Sequence, residues 1–151
     1  NLLLLAKVEN HQFNDNGRIN IADYLENAIE LFEDYLGEKQ LNLSMDVESV
    51  LVRSNSFLLE TLIQNLFSNA IRHTPNNGHI VISCKEKILQ VKNTGIESLD
   101  KNQLFERFTT TTKEKVSSGL GLAIVREIAI KNNWKLNYHF KKGFHVFCVT
   151  F

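Results

Sequence analysis

The sequence predicts a two-layer α/β sandwich, a mixed β-sheet that is covered on one face by helices. Apolar residues recur at helical spacing over residues 24–36, 58–71 and 122–128, which predicts amphipathic helices. Alternation of apolar and polar residues predicts strands over residues 41–47, 79–85, 88–92, 134–140 and 144–151. Alternating strands bury one face of a sheet, so the helices are expected to cover that face.

The first third of the chain contains one long helix between short strands. Asn16-Gly17 is a turn signal, and a strand is expected over residues 19–21. Asp23 is positioned to cap a helix that ends at Gly37. A further short strand is expected over residues 50–52.

Caps and turns divide the rest of the chain. Asn55 or Ser56 is positioned to cap the second long helix, and Pro75 ends it because proline cannot continue a helix. A short helix is expected near residues 102–105. The chain closes with a hairpin that turns at residues 141–143.

The composition is that of a single globular domain without a strongly charged surface. Hydrophobic residues make up 43% of the 151 residues, and 17 basic side chains balance 17 acidic ones. This balance does not indicate a nucleic-acid partner or an anionic membrane surface. No apolar run reaches the roughly 18 residues that span a bilayer. Cys84 and Cys148 are expected to be reduced core residues, with a disulfide between neighbouring strands as the alternative.

Two motifs place potential ligands on helices. Asn65, Asn69 and Arg72 recur at about one helical turn, so two carboxamides and a guanidinium share a helix face. A carboxamide oxygen suits one position of an octahedral Mg²⁺ whose other ligands are phosphate oxygens and water. Gly119 and Gly121 open a helix, where glycine lets the backbone approach a phosphate and the first free amides bind anions. Together the motifs predict a magnesium-nucleotide site.

These motifs resemble the catalytic, ATP-binding domain of bacterial sensor histidine kinases. That domain belongs to a superfamily that includes gyrase, the mismatch-repair ATPases and heat-shock chaperones. The resemblance covers nearly the whole chain and implies a Bergerat-type fold with ATP and Mg²⁺ as cofactors. Residues 14–151 resemble the catalytic domain. Residues 1–13 resemble the end of the dimerisation and phosphoacceptor hairpin or a linker, the alternative being an apolar helix that packs on its own domain.

The resemblance implies a role for each polar residue of the site helix. Asn69 is expected to bind the metal, and Asn65 to orient a metal-bound water or a phosphate. Relatives that hydrolyse ATP have a glutamate in place of Asn65 as general base, and an amide cannot accept that proton. Phosphoryl transfer to a supplied nucleophile is therefore expected rather than hydrolysis. Arg72 is expected to contact the phosphates and His73 to lie near the adenine.

Asn93 stands where the family has the aspartate that accepts a hydrogen bond from the adenine amino group. Only one glycine of the family's Asp-x-Gly-x-Gly box remains, Gly95. The amide oxygen of Asn93 can still accept from adenine, although a flipped amide would tolerate guanine. The alternative is that this segment is simply a turn after a strand.

The segment that follows resembles the family's aromatic box and ATP lid. Arg107, between two phenylalanines, is expected to stabilise charge on the transferred phosphoryl group. Lys113, in the polar run over residues 109–118, is expected to approach the phosphates once nucleotide binds. The main chain of residues 119–122, Gly119-Leu120-Gly121-Leu122, is expected to bind them.

The resemblance also implies partners that the chain itself does not supply. None of its five histidines precedes an acidic residue as the phosphoacceptor histidine does. The expected acceptor is therefore the protein's own helical hairpin. The chain is expected to be the cytoplasmic catalytic part of a homodimeric sensor kinase, either transmembrane or soluble, that passes the phosphoryl group to a response regulator. Two alternatives are a degenerate nucleotide-binding module without turnover and an ATP-hydrolysing relative.

Overall fold

The computed structural model describes residues 1–15, 17–109 and 119–151, which form four helices and seven strands. The helices are α1 Leu2–Glu9, α2 Ile21–Glu38, α3 Ser56–His73 and α4 Gly121–Lys131. The strands are β1 Arg18–Asn20, β2 Asn42–Val47, β3 Leu51–Arg53, β4 His79–Lys85, β5 Ile88–Thr94, β6 Lys135–Lys141 and β7 Phe144–Thr150.

Five of the strands form one mixed sheet in the order β2-β4-β5-β7-β6. Strand β2 runs parallel to β4, and the other neighbours are antiparallel. Strands β1 and β3 form a separate antiparallel pair. The mixed sheet confirms the predicted topology class.

The helices cover a single face of this sheet, as the alternation predicted. Ile82 and Val91 are paired across β4 and β5 and are buried, whereas Lys85 and Lys92 on the opposite phase are not. Helix α3 packs against both α2 and α4 and contributes eight buried side chains to the core, including Phe67. The predicted two-layer α/β sandwich is therefore confirmed.

Helix α2 begins three residues earlier than the sequence indicated. Its cap is Asn20 instead of Asp23, because the Asn20 side chain accepts a hydrogen bond from the Ala22 N–H at 3.3 Å. The helix also continues through Gly37 to Glu38. Asn55 caps α3 in the predicted manner, with its side-chain oxygen accepting from the backbone one turn later.

The short helix expected near residues 102–105 is absent, and this prediction was wrong. The segment forms turns in which the Leu104 N–H donates to the Asp100 carbonyl at 3.0 Å. The Asp100 carboxylate also accepts from the Asn102 N–H at 2.9 Å. Such local side-chain bonds compete with helical pairing, which explains why the turns do not extend.

The two cysteines are free and buried, as expected. Cys84 is paired with Leu89 and Cys148 with Gln90, so the two thiols lie on opposite faces of the sheet and cannot meet. Burial raises the pKa of the Cys84 thiol to about 11, with a further contribution from Glu48. The alternative of a disulfide is excluded by this register.

Helix α1 packs on α4 through the buried side chains of Leu5 and Val8. Within the described residues, no helix is long and apolar enough to cross a membrane.

Candidate nucleotide-binding site

Helix α3 holds the polar motif rigidly because its opposite face is buried in the core. The Asn65 amide group donates to the Thr61 carbonyl at 2.8 Å, which fixes the direction of the side-chain oxygen. Asn69 lies one turn later and is half-buried. Arg72 is exposed and His73 half-buried in the last turn of the helix.

The last turn of α3 is fixed by Lys39, the residue that follows α2. The Lys39 ammonium donates to the carbonyls of Ile71 at 2.7 Å and Arg72 at 3.0 Å. A cation is favourable at a helix C-terminus, where the carbonyls have no helical partners. This contact fixes the backbone that carries Arg72 and His73.

The glycine segment lies against two other parts of the chain. Gly119 has φ +64°, and a Cβ there would lie 2.7 Å from the Phe108 backbone. The Phe108 N–H donates to the Gly119 carbonyl at 2.9 Å, so the residues on either side of segment 110–118 are joined. Only glycine is compatible with both the positive φ and this close approach.

Gly121 brings the start of α4 to the polar face of α3. A Cβ at Gly121 would lie 3.0 Å from the Asn65 side-chain oxygen. The N-cap residue of α4 is Leu120, which makes no side-chain cap. The first turn of α4 therefore receives no side-chain cap from Leu120. The N-terminus of α4, which is the positive end of its helix dipole, lies next to Asn65.

Leu120 and Leu122 take part in the site only through their main chain. Leu120 is 4% exposed and belongs to the core, and Leu122 packs against that core. Their backbone N–H groups, together with those of Gly119 and Gly121, make up the predicted phosphate-binding segment.

Strand β5 ends in the predicted base-binding segment. Asn93 is 1% exposed, and its amide group donates to the Thr94 carbonyl at 3.3 Å. Gly95 follows directly, and its N–H donates to the Gly143 carbonyl at 2.9 Å. The strand end is thus joined to the turn between β6 and β7.

His145 is a neighbour of this segment that the sequence analysis missed. It is the cross-strand partner of Asn93 and is 8% exposed. A Cβ on Gly95 would lie 2.1 Å from its Nε2. Burial lowers the pKa of His145, so it is neutral near pH 7. The sequence signal that could have identified His145 was the alternation along β7. This alternation puts His145 on the same face of the strand as the core residue Phe147.

Arg107 contacts the N-terminal helix in this structure. Its guanidinium is ion-paired with Glu9 of α1, so it faces the N-terminal helix. Lys113 lies outside the described residues, as do all of residues 110–118 of the lid that was predicted over residues 109–118.

The donor set fits a magnesium ion that is bound mainly by nucleotide. Within residues 1–15, 17–109 and 119–151, no group of three His, Cys, Asp or Glu side chains could hold a metal. Asn69 supplies a half-buried amide oxygen on the same face as Asn65. Mg²⁺ commonly takes one or two protein oxygens and completes its octahedron with phosphates and water. Asn69 would be its protein ligand.

Comparisons with known proteins agree with this arrangement. Residues 54–151 match the family described as histidine kinase-, DNA gyrase B- and HSP90-like ATPases. The heme sensor protein HssS of Staphylococcus aureus strain JH9 is 35% identical over 136 residues, which cover 84% of this chain and 29% of HssS. The chain thus spans less than a third of that relative's length.

Solved structures share the fold across almost the whole chain. The Acinetobacter baumannii histidine kinase AdeS has a TM-score of 0.81 and 26% sequence identity, covering 98% of this chain and 73% of AdeS. Histidine kinase ThkA, in complex with the response regulator protein TrrA, has a TM-score of 0.74 and 20% identity, covering 98% and 46%.

The chain therefore belongs to the histidine kinase-, DNA gyrase B- and HSP90-like ATPase family. Within that family it is an ATP-binding catalytic domain of the sensor histidine kinase type. The resemblance inferred from the Asn65–Asn69 pair and the glycine segment is confirmed.

Proposed function

We propose that this domain binds Mg²⁺-ATP and transfers the γ-phosphoryl group to a histidine on an adjoining helical hairpin. The observation that carries the proposal is the close approach of Gly121 to Asn65. A Cβ built on Gly121 would lie 3.0 Å from the Asn65 side-chain oxygen. This approach unites the polar face of α3 with the anion-binding start of α4. A metal-bound triphosphate requires both features at one place.

Asn69 and Asn65 act on the metal and phosphate side of this site. Asn69 supplies the amide oxygen that binds Mg²⁺, and Asn65 orients a metal-bound water or a phosphate oxygen. The main-chain amides of residues 119–122 bind the phosphates, and Arg72 and Lys113 add positive charge. The bound metal neutralises charge on the transferred group.

The base lies on the other side, at the end of β5. Asn93 accepts from the adenine amino group, Gly95 allows the close approach, and His73 lies near the base. The burial of Asn93 supports this role, because a buried amide is retained where its hydrogen bonds are used.

Asn65 favours phosphoryl transfer over hydrolysis. An amide cannot accept the proton of an attacking water. Asn65 occupies the position at which the hydrolysing relatives have their general base, and its side-chain oxygen lies against the start of α4. The acceptor is therefore a supplied nucleophile, the hairpin histidine.

Arg107 stabilises charge on the transferred phosphoryl group only after its ion pair with Glu9 breaks. Both side chains are partly exposed, so that ion pair contributes little to stability. Its rupture would accordingly require little free energy.

The partners follow from the kinase assignment. The full protein is a homodimer whose hairpin receives the phosphoryl group and passes it to a response regulator. ThkA, which shares this fold, has been solved in complex with the response regulator protein TrrA. The domain works in the cytoplasm, where ATP is available.

Calorimetric titration with ATP and ADP, with and without Mg²⁺, tests the site. We expect binding that depends on Mg²⁺ and that Asn69→Ala weakens about tenfold or more, because it removes the metal's protein ligand. Asn137→Ala, at an exposed position of β6, is the matched control and should bind normally. No binding at millimolar nucleotide would overturn the proposal.

A further inference from the structure

The end of β5 and the start of β7 place two polar side chains together on the helix-covered face of the sheet. Asn93 and His145 are direct cross-strand partners, and such partners lie on the same face with Cβ atoms about 5 Å apart. Both are nearly inaccessible. Burying two adjacent polar groups costs free energy of folding unless they are hydrogen-bonded in a network or used to bind a ligand.

A chain of hydrogen bonds fixes the proton of His145. The Leu99 N–H donates to the Tyr138 hydroxyl oxygen at 3.0 Å. That hydroxyl lies 2.9 Å from His145 Nδ1, and a buried hydroxyl hydrogen needs an acceptor. The Tyr138 O–H therefore donates to Nδ1, which must be unprotonated. Because burial keeps the ring neutral, its single proton is on Nε2.

The Nε2 edge faces the predicted base-binding segment. It is the ring atom nearest to a Cβ built on Gly95, at 2.1 Å, so the imidazole lies over the glycine that follows Asn93 and Thr94. No larger residue than glycine fits at position 95 while this ring stays in place. The Nε2–H donor of His145 therefore lies against Gly95, two residues along the chain from Asn93, the cross-strand partner of His145.

The Asn93 amide is oriented as well. Its NH₂ group donates to the Thr94 carbonyl, which leaves the oxygen as the group available to accept from a ligand. The pair thus offers one acceptor, the Asn93 oxygen, beside one donor, the His145 Nε2–H. Adenine presents the complementary pattern, an amino donor beside the N1 acceptor, and guanine presents the reverse.

We propose that His145 is a specificity-determining residue that donates a hydrogen bond from Nε2 to N1 of adenine while Asn93 accepts from the adenine amino group. This inference rests on the proposed function and adds to it a residue that selects the base. The neutral pair of Asn93 and His145 reads the adenine edge without a carboxylate. Tyr138 acts as a positioning residue that holds the tautomer.

The test compares the affinities of ATP, 1-deaza-ATP and GTP by calorimetry in the presence of Mg²⁺. In 1-deaza-ATP a C–H replaces N1, so it cannot accept the bond. The unsubstituted chain should bind ATP about tenfold tighter than 1-deaza-ATP, as expected for one lost hydrogen bond that leaves a buried donor unpaired. GTP should bind more weakly still, because both of its edge groups are mismatched.

His145→Phe removes the donor and keeps a planar ring. This variant should bind ATP and 1-deaza-ATP with equal affinity. The expected effect is therefore a loss of the difference between the two affinities, and not merely weaker binding of ATP. His139→Phe, on the other face of the neighbouring strand β6, is the matched control and should keep the discrimination. If His145→Phe does not fold, His145→Gln, which retains an N–H donor, and the unsubstituted chain still decide the question through 1-deaza-ATP.

A second readout needs no nucleotide. Long-range ¹H–¹⁵N NMR of the histidine rings should show His145 protonated on Nε2 alone, and Tyr138→Phe should release that preference. Protonation on Nδ1, or equal affinities of the unsubstituted chain for ATP and 1-deaza-ATP, would overturn the inference while ATP binding upholds the proposed function. Failure of the unsubstituted chain to bind any nucleotide overturns both.

Discussion

At the residue scale, the site depends on how closely the backbone approaches particular side chains. Gly95, Gly119 and Gly121 each lie where a Cβ would meet an atom within about 3 Å, and the three contacts are to His145, Phe108 and Asn65. Gly37 differs from them, because nothing lies within 4 Å of a Cβ at that position. The glycines of the site are therefore explained by close packing of its parts.

Gly121→Ala tests the junction of α3 and α4. The added methyl would press on the Asn65 oxygen at 3.0 Å and displace the amide that orients the phosphate. We expect ATP affinity to fall about tenfold, while alanine's better helix propensity limits the loss of stability to less than about 1 kcal/mol. Calorimetric titration and thermal unfolding measure the two effects.

Gly37→Ala is the matched control for that substitution. It also places alanine within a helix, but in open space, so it should stabilise the fold by up to about 1 kcal/mol and leave ATP affinity unchanged. Equal ATP affinities for the two variants would contradict the assigned role of Gly121.

At the element scale, α3 is the element on which the site depends most. Its N-terminus is capped by Asn55, and Lys39, which follows α2, binds the carbonyls of its last turn. The helix therefore presents its polar residues on a backbone that is fixed at both ends. Strand β5 is fixed in a comparable way, through the bond from Gly95 to Gly143.

Lys39→Met removes the cation from the end of α3 and keeps an unbranched side chain. We expect it to lower the free energy of unfolding by about 1 to 2 kcal/mol, since two charge-assisted hydrogen bonds to helix carbonyls are lost. Urea denaturation measures this change. Lys101→Met, at an exposed turn position, should change stability by less than about 0.5 kcal/mol, and an equal loss in both variants would exclude the capping role.

The elements predicted best from sequence were those whose signal is local. The periodicity of α3 and the alternation of β4 and β5 express burial on one face, and both were predicted nearly to the residue. The segment after β5 was predicted worse, because Asp100 provides turn bonds that compete with a helix.

At the scale of the whole molecule, the missed features were those that need long-range contacts. The pairing of Asn93 with His145 depends on the register between β5 and β7, which residues far apart in sequence determine together. The ion pair of Arg107 with Glu9 joins residues 98 positions apart. The sequence motifs predicted that Asn65 and the glycine segment belong to one site, but they did not predict the contact between Asn65 and Gly121. That contact results from the packing of α4 on α3.

The buried His145 also links the stability of the whole domain to pH. Its pKa is lowered by burial from the usual 6.5, so between the folded and unfolded pKa values the unfolded chain binds more protons. The contribution of His145 to the free energy of unfolding is therefore fully present above pH 6.5 and is lost as the pH falls below that value. Tyr138 and Phe140 pack against the ring, and protonation would place a charge among these aromatic groups.

We accordingly expect the free energy of unfolding to fall between about pH 7.5 and about pH 5.5, with a shallower fall in His145→Phe because that variant lacks the group. Urea denaturation at several pH values measures both slopes. His139→Phe, which changes a histidine on the other face of the sheet, should retain the steeper slope of the unsubstituted chain. Identical slopes for His145→Phe and the unsubstituted chain would show that the buried imidazole does not take up its proton on unfolding.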